Sequence, residues 1–340
     1  MPTSCQIVLR RRPRGAPTAD DFAVVETPLP EPGPDEVRLR TLWLSLDPYM
    51  RGRMSEGPSY AASIPLGGVI SGEVIGVIEA SSVADRPVGS YVRAHAGWQT
   101  AAVLPAHATQ PVDPALAPLS AYLGVLGMPG LTAYAGLLEL GKPQPGETLV
   151  VAAATGPVGS LVGQLAKRRG LRTVGIAGGA EKAALARNRF GFDVALDHRS
   201  PTFERDLGAA CPDGVDVYVE LVGGRVLDAV LPLLNVHARV PVIGTIAHYN
   251  ATALPAGPDR VPWLMRQILV KRLRIDGLIV WDFEHLRPQF VTEVADLIAT
   301  NELRYLEDVS EGLEAAPGAF IALLNGGNRG KALVRVAADA

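Results

Sequence analysis

A chain of 340 residues, 48% of them apolar and 20% charged, has the composition of a soluble globular protein of about two domains, and excludes a disordered or collagen-like chain. Lysine and arginine total 32 against 35 acidic residues, a formal charge of −3, so no basic excess is available to neutralise nucleic acid. The two cysteines, Cys5 and Cys211, are too few for a disulfide framework or a four-thiolate zinc lobe, and fit a reducing cytoplasm.

The start of the chain carries Arg10, Arg11, Arg12 and Arg14 with no apolar stretch behind them, so it reads as a solvated edge rather than a signal peptide. From Ala23 to about Ala108, short strand-like stretches (Glu36 to Leu42, Val69 to Ile78, Ser90 to His95) are broken by proline and glycine, the pattern of a β-rich domain. The uncharged run Ala115 to Leu138 contains Pro118, Pro129 and four glycines, which argues against a membrane-spanning helix. From Thr148 the rhythm changes. Apolar runs at Thr148 to Ala152, Thr173 to Ala177, Val194 to Asp197, Val215 to Glu220 and Arg239 to Ile243 are separated by helical stretches, which predicts crossover helices and a parallel sheet. A β run from Leu273 to Val280 precedes a helix from about Phe283 to Thr300, and the tail ends in a strand from Lys331 to Val336.

The most informative segment is the apolar strand at Leu149 running into Ala154-x-Gly156-x-x-Gly159. In the dinucleotide fingerprint the first small residue makes a tight turn, the second lets backbone approach pyrophosphate, and the third allows close helix-to-strand packing. Ala154 takes the first place. Pro157 opens a helix whose apolar residues Val158, Leu161, Val162, Leu165 and Ala166 share one face, and Lys167, Arg168 and Arg169 close it before Gly170. The helix N-terminus is then aimed where phosphate should sit. About twenty residues on, where an NAD enzyme places an acid on the ribose hydroxyl, the strand end Val174 to Gly179 is acid-free. Lys182 and Arg199, with His198, match the two negative charges of a 2′-phosphate, which favours NADPH over NADH; as surface cations they would do neither.

Zinc would need a thiolate, an imidazole and a further ligand around an open position. None of the six histidines stands at ligand spacing from another, and Leu66-Gly-Gly-Val-Ile-Ser-Gly-Glu73 has Gly68 and Val69 where a zinc dehydrogenase would show histidine and glutamate, so no metal is expected.

Leu44-Ser-Leu-Asp-Pro-Tyr-Met-Arg-Gly-Arg-Met54, Ala153 to Ser160, Gly178 to Lys182, Val222-Gly-Gly224, Tyr249-Asn-Ala-Thr252 and Asn328-Arg-Gly-Lys331 together resemble the zinc-free medium-chain dehydrogenase/reductases, in the branch of prostaglandin reductases and leukotriene dehydrogenases. The resemblance covers nearly the whole chain. It implies an α/β protein with a GroES-like β-rich domain (1–125, completed by 305–340) and a doubly wound Rossmann domain (126–304), with NADPH held between them. By the same resemblance Thr155, Gly156, Pro157, Val158 and Gly159 contact pyrophosphate, and Lys182 takes the 2′-phosphate. The Ile243 to Tyr249 stretch, with Gly244, and the strand Leu278, Ile279, Val280 line the nicotinamide side, and Asn328 touches cofactor. His198 and Leu221 depart from the tyrosine and asparagine frequent in the family; His198 could still stack, whereas Leu221 cannot replace an amide.

The implied reaction delivers hydride to the β-carbon of an enone and leaves an enolate, which needs a proton and donors for its oxygen. Without a metal, tyrosines can serve, since a phenol is protonated at neutral pH. Tyr249 is the first choice for proton donor or enolate partner, and Tyr49 for substrate positioning; a packed tyrosine with a satisfied hydroxyl is the alternative for both. Arg51 and Arg53 could steer a carboxylated substrate or sit in surface ion pairs, and Met50, Met54, Tyr60 and Trp263 could form an apolar cleft or simply be core. The expected partner is a small hydrophobic α,β-unsaturated carbonyl compound, without nucleic acid or membrane, and the family points to a homodimer. A zeta-crystallin-like quinone reductase and a non-catalytic NADPH-binding protein remain alternatives, and an alcohol dehydrogenase is disfavoured because Tyr249 is followed by Thr252 and Ala253 rather than a short-chain Tyr-x-x-x-Lys.

Overall fold

Residues 2–339 are described by a computed structural model, in two units: 2–124 with 307–339, and 125–306. In the first unit β1 (Thr3–Leu9) pairs antiparallel with β2 (Phe22–Pro28). β3 (Glu36–Ser45) changes character along its length. Its first half alternates half-buried and buried residues, as a one-sided strand does, while Thr41 to Ser45 are buried on both faces. After the short α1 (Met50–Arg53), β4 (Val74–Ser81) lies antiparallel on β3, β5 (Tyr91–Ala94) on β4, β6 (Ala101–Pro105) on β3 and β7 (Thr109–Pro111) on β5. The strand expected from Val69 begins only at Val74. A Cβ on Gly72 would come within 3.0 Å of Leu44 and Trp98, so the backbone here presses on the core and is fastened irregularly, Ile70 donating to Ile7 and accepting from Trp98. Trp98 is stacked on Phe22 at 5.8 Å and meets Phe320 edge-on at 5.6 Å.

In the second unit α2 (Met128–Ala135) precedes a six-stranded parallel sheet: β8 (Thr148–Val151), β9 (Arg172–Ala177), β10 (Val194–Asp197), β11 (Val215–Val219), β12 (Leu234–Val242) and β13 (Arg274–Gly277). One helix follows each strand in turn: α3 (Pro157–Arg168), α4 (Ala180–Phe190), α5 (Phe203–Ala210), α6 (Gly224–Val230), α7 (Val261–Lys271) and α8 (Arg287–Ala299). Helices on both faces explain why β8 is buried throughout and reads as a continuous apolar run. The order β10-β9-β8-β11-β12-β13 reverses between β8 and β11, the switch point at whose carboxyl ends such sheets bind ligands. Three boundaries differ from the sequence reading. β12 begins at Leu234, with His237 in left-handed backbone (φ 66°) where its register against β11 shifts. β13 ends at Gly277, and Val280 opens a 3₁₀ segment rather than closing a strand. α8 starts at Arg287, not Phe283, because Pro288 fixes the first turn.

β14 (Glu307–Glu311), α9 (Ala316–Leu324) and β15 (Lys331–Arg335) return to the first unit, β15 antiparallel to β3 and β14 parallel to β15. Among the described residues no helix is long and apolar enough to cross a membrane; the uncharged run is divided between a 3₁₀ turn at Leu119–Leu123 and α2.

Candidate active site

At the end of β8 the chain turns sharply, and the residue that turns it is Ala153 (φ 48°), one place before Ala154 where the sequence pattern puts the tight turn. Ala154 instead packs its methyl where a Cβ on Gly175 would be, 2.9 Å away, and donates its N–H to Ile176. A Cβ on Gly159 would lie 2.4 Å from the Ala153 carbonyl oxygen and 2.9 Å from that of Ala152, so only glycine lets α3 approach the strand this closely. Gly156 occupies the N-cap without a side-chain cap, and Pro157 follows at the first turn. Gly156, Pro157 and Val158 are half-buried and Thr155 is buried. The first N–H groups of α3 therefore meet no capping side chain of their own.

The second corner forms where β9 and β10 end. Asp197 Oδ1 accepts the N–H of Gly179 (2.8 Å) and of Arg199 (2.9 Å), while the His198 N–H donates to the Ala177 carbonyl (3.0 Å). These bonds bring two side chains over one glycine: a Cβ on Gly178 would lie 3.1 Å from His198 Nε2 and 3.4 Å from Arg199 Nη2. Burial pushes the His198 imidazole below its ordinary range, the neighbouring Arg199 and Arg225 add to this, and Asp197 opposes it. Lys182 sits in the first turn of α4, which starts from Gly179. Arg225 ties the corner from below, donating to the carbonyls of His198 (3.0 Å) and Ser200 (3.2 Å) and gripping Glu204 with two nitrogens.

The third and fourth loops follow β11 and β12. The residues from Thr245 to Tyr249 fold back over 221–224: Ala247 donates to the Val222 carbonyl (2.9 Å), the His248 ring stands 3.0 Å from a Cβ placed on Gly223, and the Tyr249 hydroxyl 3.2 Å from one placed on Gly244. Glu220, which the sequence shows only as the last residue of a strand, holds both loops through its buried carboxylate and its main chain. Leu278 is buried with its side chain against Gly136, so it offers a ligand backbone rather than side chain; Ile279 and Val280 are half-buried beside it. Thr155 to Gly159, Gly178, Lys182, His198, Arg199, Gly244, Tyr249 and Leu278 to Val280 thus all lie at the carboxyl ends of this sheet.

Tyr49 and Asn328 belong to the other unit. Tyr49 precedes α1, and burial, then Asp47 and Glu73, push its phenol far above the ordinary range, so it stays protonated and is a weak acid. The Arg53 guanidinium stands 5.8 Å from the Tyr49 ring and 5.1 Å from that of Tyr60. Arg51 corrects one expectation. It is buried and donates to the Gly15 carbonyl (2.8 Å) and the Ser55 hydroxyl (2.7 Å), which makes it a brace for the 13–15 turn rather than an exposed cation. Met50 and Met54, at the two ends of α1, are likewise core and fully buried. Asn328 donates Nδ2 to the Gly330 carbonyl (2.7 Å), bracing its own turn. Among the described residues, no group of three or more histidine, cysteine, aspartate or glutamate side chains could hold a metal ion.

Residues 5–112 match the family described as the N-terminal domain of oxidoreductases, and residues 157–299 that described as zinc-binding dehydrogenase. The chain is 48% identical to the NADPH-dependent curcumin reductase of Escherichia coli K12, over 98% of this chain and 96% of that one. It is 38% identical to the NADP⁺-dependent 2-alkenal reductase of Nicotiana tabacum over 98% of each chain, and 37% identical to prostaglandin reductase 1 of Bos taurus over 94% and 95%. The crystal structure of CurA from Vibrio vulnificus, 47% identical, superposes with a TM-score of 0.95 over 99% of this chain and 100% of that one, and CurA in complex with NADPH superposes equally well. Within the likeness, Ala229-Val-Leu-Pro-Leu-Leu-Asn235 and Gly257-Pro-Asp-Arg260 resemble the bacterial curcumin/dihydrocurcumin reductases in particular. With the doubly wound sheet, the glycine turn and full-length relatives in agreement, the chain belongs to the medium-chain dehydrogenase/reductase family, in the branch of curcumin, alkenal and prostaglandin reductases.

Proposed function

We propose that the protein is a metal-independent homodimeric reductase that uses NADPH to saturate the carbon–carbon double bond of hydrophobic α,β-unsaturated ketones and aldehydes. The observation that carries this reading is the corner at Gly178. Two nitrogen-bearing side chains converge there, and the only acid of the turn, Asp197, has an oxygen already taken by two backbone N–H groups. That favours a 2′-phosphate over a bare ribose hydroxyl. The N-terminus of α3, uncapped by any side chain at Gly156 and drawn against the strand by Gly159, fits a pyrophosphate.

Thr155 to Gly159 would hold the pyrophosphate, and Lys182, His198 and Arg199 the 2′-phosphate. Gly244, Tyr249 and the backbone of Leu278, Ile279 and Val280 would border the nicotinamide, with Asn328 as a further contact. When bound, NADPH supplies the hydride that the enone β-carbon receives. The chain's own part is placement and charge. Tyr249, carried on a loop braced against Gly244, stabilises the oxygen of the substrate enolate or gives up its proton to the α-carbon. Tyr49, a weak acid held at α1, donates a hydrogen bond to the substrate and keeps its proton. Both cysteines are free thiols, which supports a place in the reducing cytoplasm. The test is to follow NADPH absorbance at its nicotinamide band against a panel of enones, alkenals and quinones. Consumption with enones and alkenals is expected. Consumption with quinones alone would make it a quinone reductase, and tight NADPH binding without turnover on any of them a non-catalytic binder.

A further inference from the structure

Glu220 is 1% exposed, immediately after β11. Its Oε1 accepts the N–H groups of Val222 (2.5 Å) and Gly223 (2.7 Å), and its Oε2 the hydroxyl of buried Tyr218 (2.9 Å). All three donors are neutral. A carboxylate is costly to bury, and burial indeed raises this one against the lowering pull of its donors. Its main chain is equally engaged: its N–H donates to Pro241 (2.9 Å), and its carbonyl accepts from Ile243 (3.0 Å) and Gly244 (3.2 Å). One residue therefore fixes the 221–224 turn with its side chain and the start of the 243–249 loop with its backbone. The turn passes the constraint on, because the Val222 carbonyl receives Ala247, two residues before Tyr249.

We propose that Glu220 is a positioning residue for Tyr249, setting where the phenol stands by locking the two loops together. The inference rests on Tyr249 being the group that meets the enolate. The test compares Glu220→Met, which removes the acceptors, with Glu220→Gln, which keeps one for Val222 and Gly223, each alone and combined with Tyr249→Phe, well below every variant's Tm. Because misplacement of about 1 Å can cost orders of magnitude in rate, Glu220→Met should lower kcat at least about tenfold while the KM for NADPH moves less than about threefold. Glu220→Gln should recover kcat to within about threefold of the native value, and in the Tyr249→Phe background Glu220→Met should cost less than about threefold more, as coupled residues do. Native kcat in Glu220→Met, or losses that simply multiply in the double variant, would overturn the proposal. Should Glu220→Met fail to fold, Tyr218→Phe, which deletes only the donor to Oε2, takes its place; a kcat loss that disappears in the Tyr249→Phe background supports the proposal and undiminished turnover overturns it. Native turnover in Tyr249→Phe alone would sink the Tyr249 reading instead. Amide exchange then decides on Glu220: faster exchange at Val222, Gly223 and Ala247 in Glu220→Met upholds the locking of the loops, and unchanged exchange rejects it.

Discussion

Ala153 carries a Cβ in a backbone conformation that costs such a residue about 1–2 kcal/mol, yet its side chain is exposed, so burial of the methyl does little to repay the strain. Ala153→Gly removes the strain and returns about 0.5–1 kcal/mol of backbone freedom to the unfolded chain. The balance is a stabilisation of about 0.5–1 kcal/mol, to be read from urea unfolding; a loss of stability would show that the methyl has a role its exposure conceals. The glycine fingerprint located this turn one residue late because its spacing is counted along the chain and carries no φ. At the Gly178 corner a histidine and an arginine adjacent in sequence end up over one glycine because Asp197 fastens the turn that carries them. With Lys182, in the first turn of α4, proposed as a further partner of the 2′-phosphate, Lys182→Ala should raise the KM for NADPH at least about tenfold, the loss of one charge-assisted contact, and that for NADH less than about twofold. Equal effects on both cofactors would remove the 2′-phosphate from this corner. Glu220 was silent in the sequence, since an acid at a strand end looks solvated until the loop that folds back on it is known.

Elements announced themselves where local chemistry decides them, and misled where a distant contact does. β8 and α3 could be read from an unbroken apolar run and a Pro-started amphipathic repeat. The late start of β4 could not, because Leu44 and Trp98 crowd Gly72 only in the folded sheet. The pairing of β15 with β3 is the same kind of fact: 284 residues apart in sequence, Lys331 and Asp47 meet at 2.9 Å with 3% and 4% exposure, and Lys331 also donates to the Leu46 carbonyl (2.7 Å). The ion pair joins the returning tail to the Asp-Pro-Tyr-Met turn that carries Tyr49. Removing one member of a buried pair strands the other charge, so Lys331→Met should destabilise the protein by about 3–5 kcal/mol, whereas replacing both, Lys331→Met with Asp47→Leu, should recover most of that loss. Denaturant midpoints measure both variants. A double variant as unstable as the single one would mean that Asp47 is needed for its bond from Ser45 rather than for its charge.

At the scale of the whole molecule the parallel sheet ends in a liability. β13 is the last strand in the order, all four of its residues are exposed, and its outer backbone groups meet no further strand of the sheet. Natural proteins blunt such edges or cover them. The chain flanking this one is apolar instead: Val261, Met265 and Leu269, at i, i+4 and i+8 of α7, are 61%, 58% and 77% exposed, and Ile275 and Trp281 are also uncovered. A second copy can satisfy both features at once, because a two-fold axis beside the edge sets the same strand and the same helix face against themselves. The sequence shows a β run here but not that it is an edge or that the helix face is bare, since an apolar repeat does not say whether its cover lies within the chain or outside it. The protein should therefore sediment at twice its chain mass of 35.9 kDa. Ile275→Pro, which removes an edge N–H, and Met265→Glu with Leu269→Glu, which buries charges at the axis, should each shift it to the monomer mass. Native sedimentation as a monomer would refute the pairing outright. Dimers that survive both changes would move the contact to another face and leave the edge of β13 to be explained by some other cover.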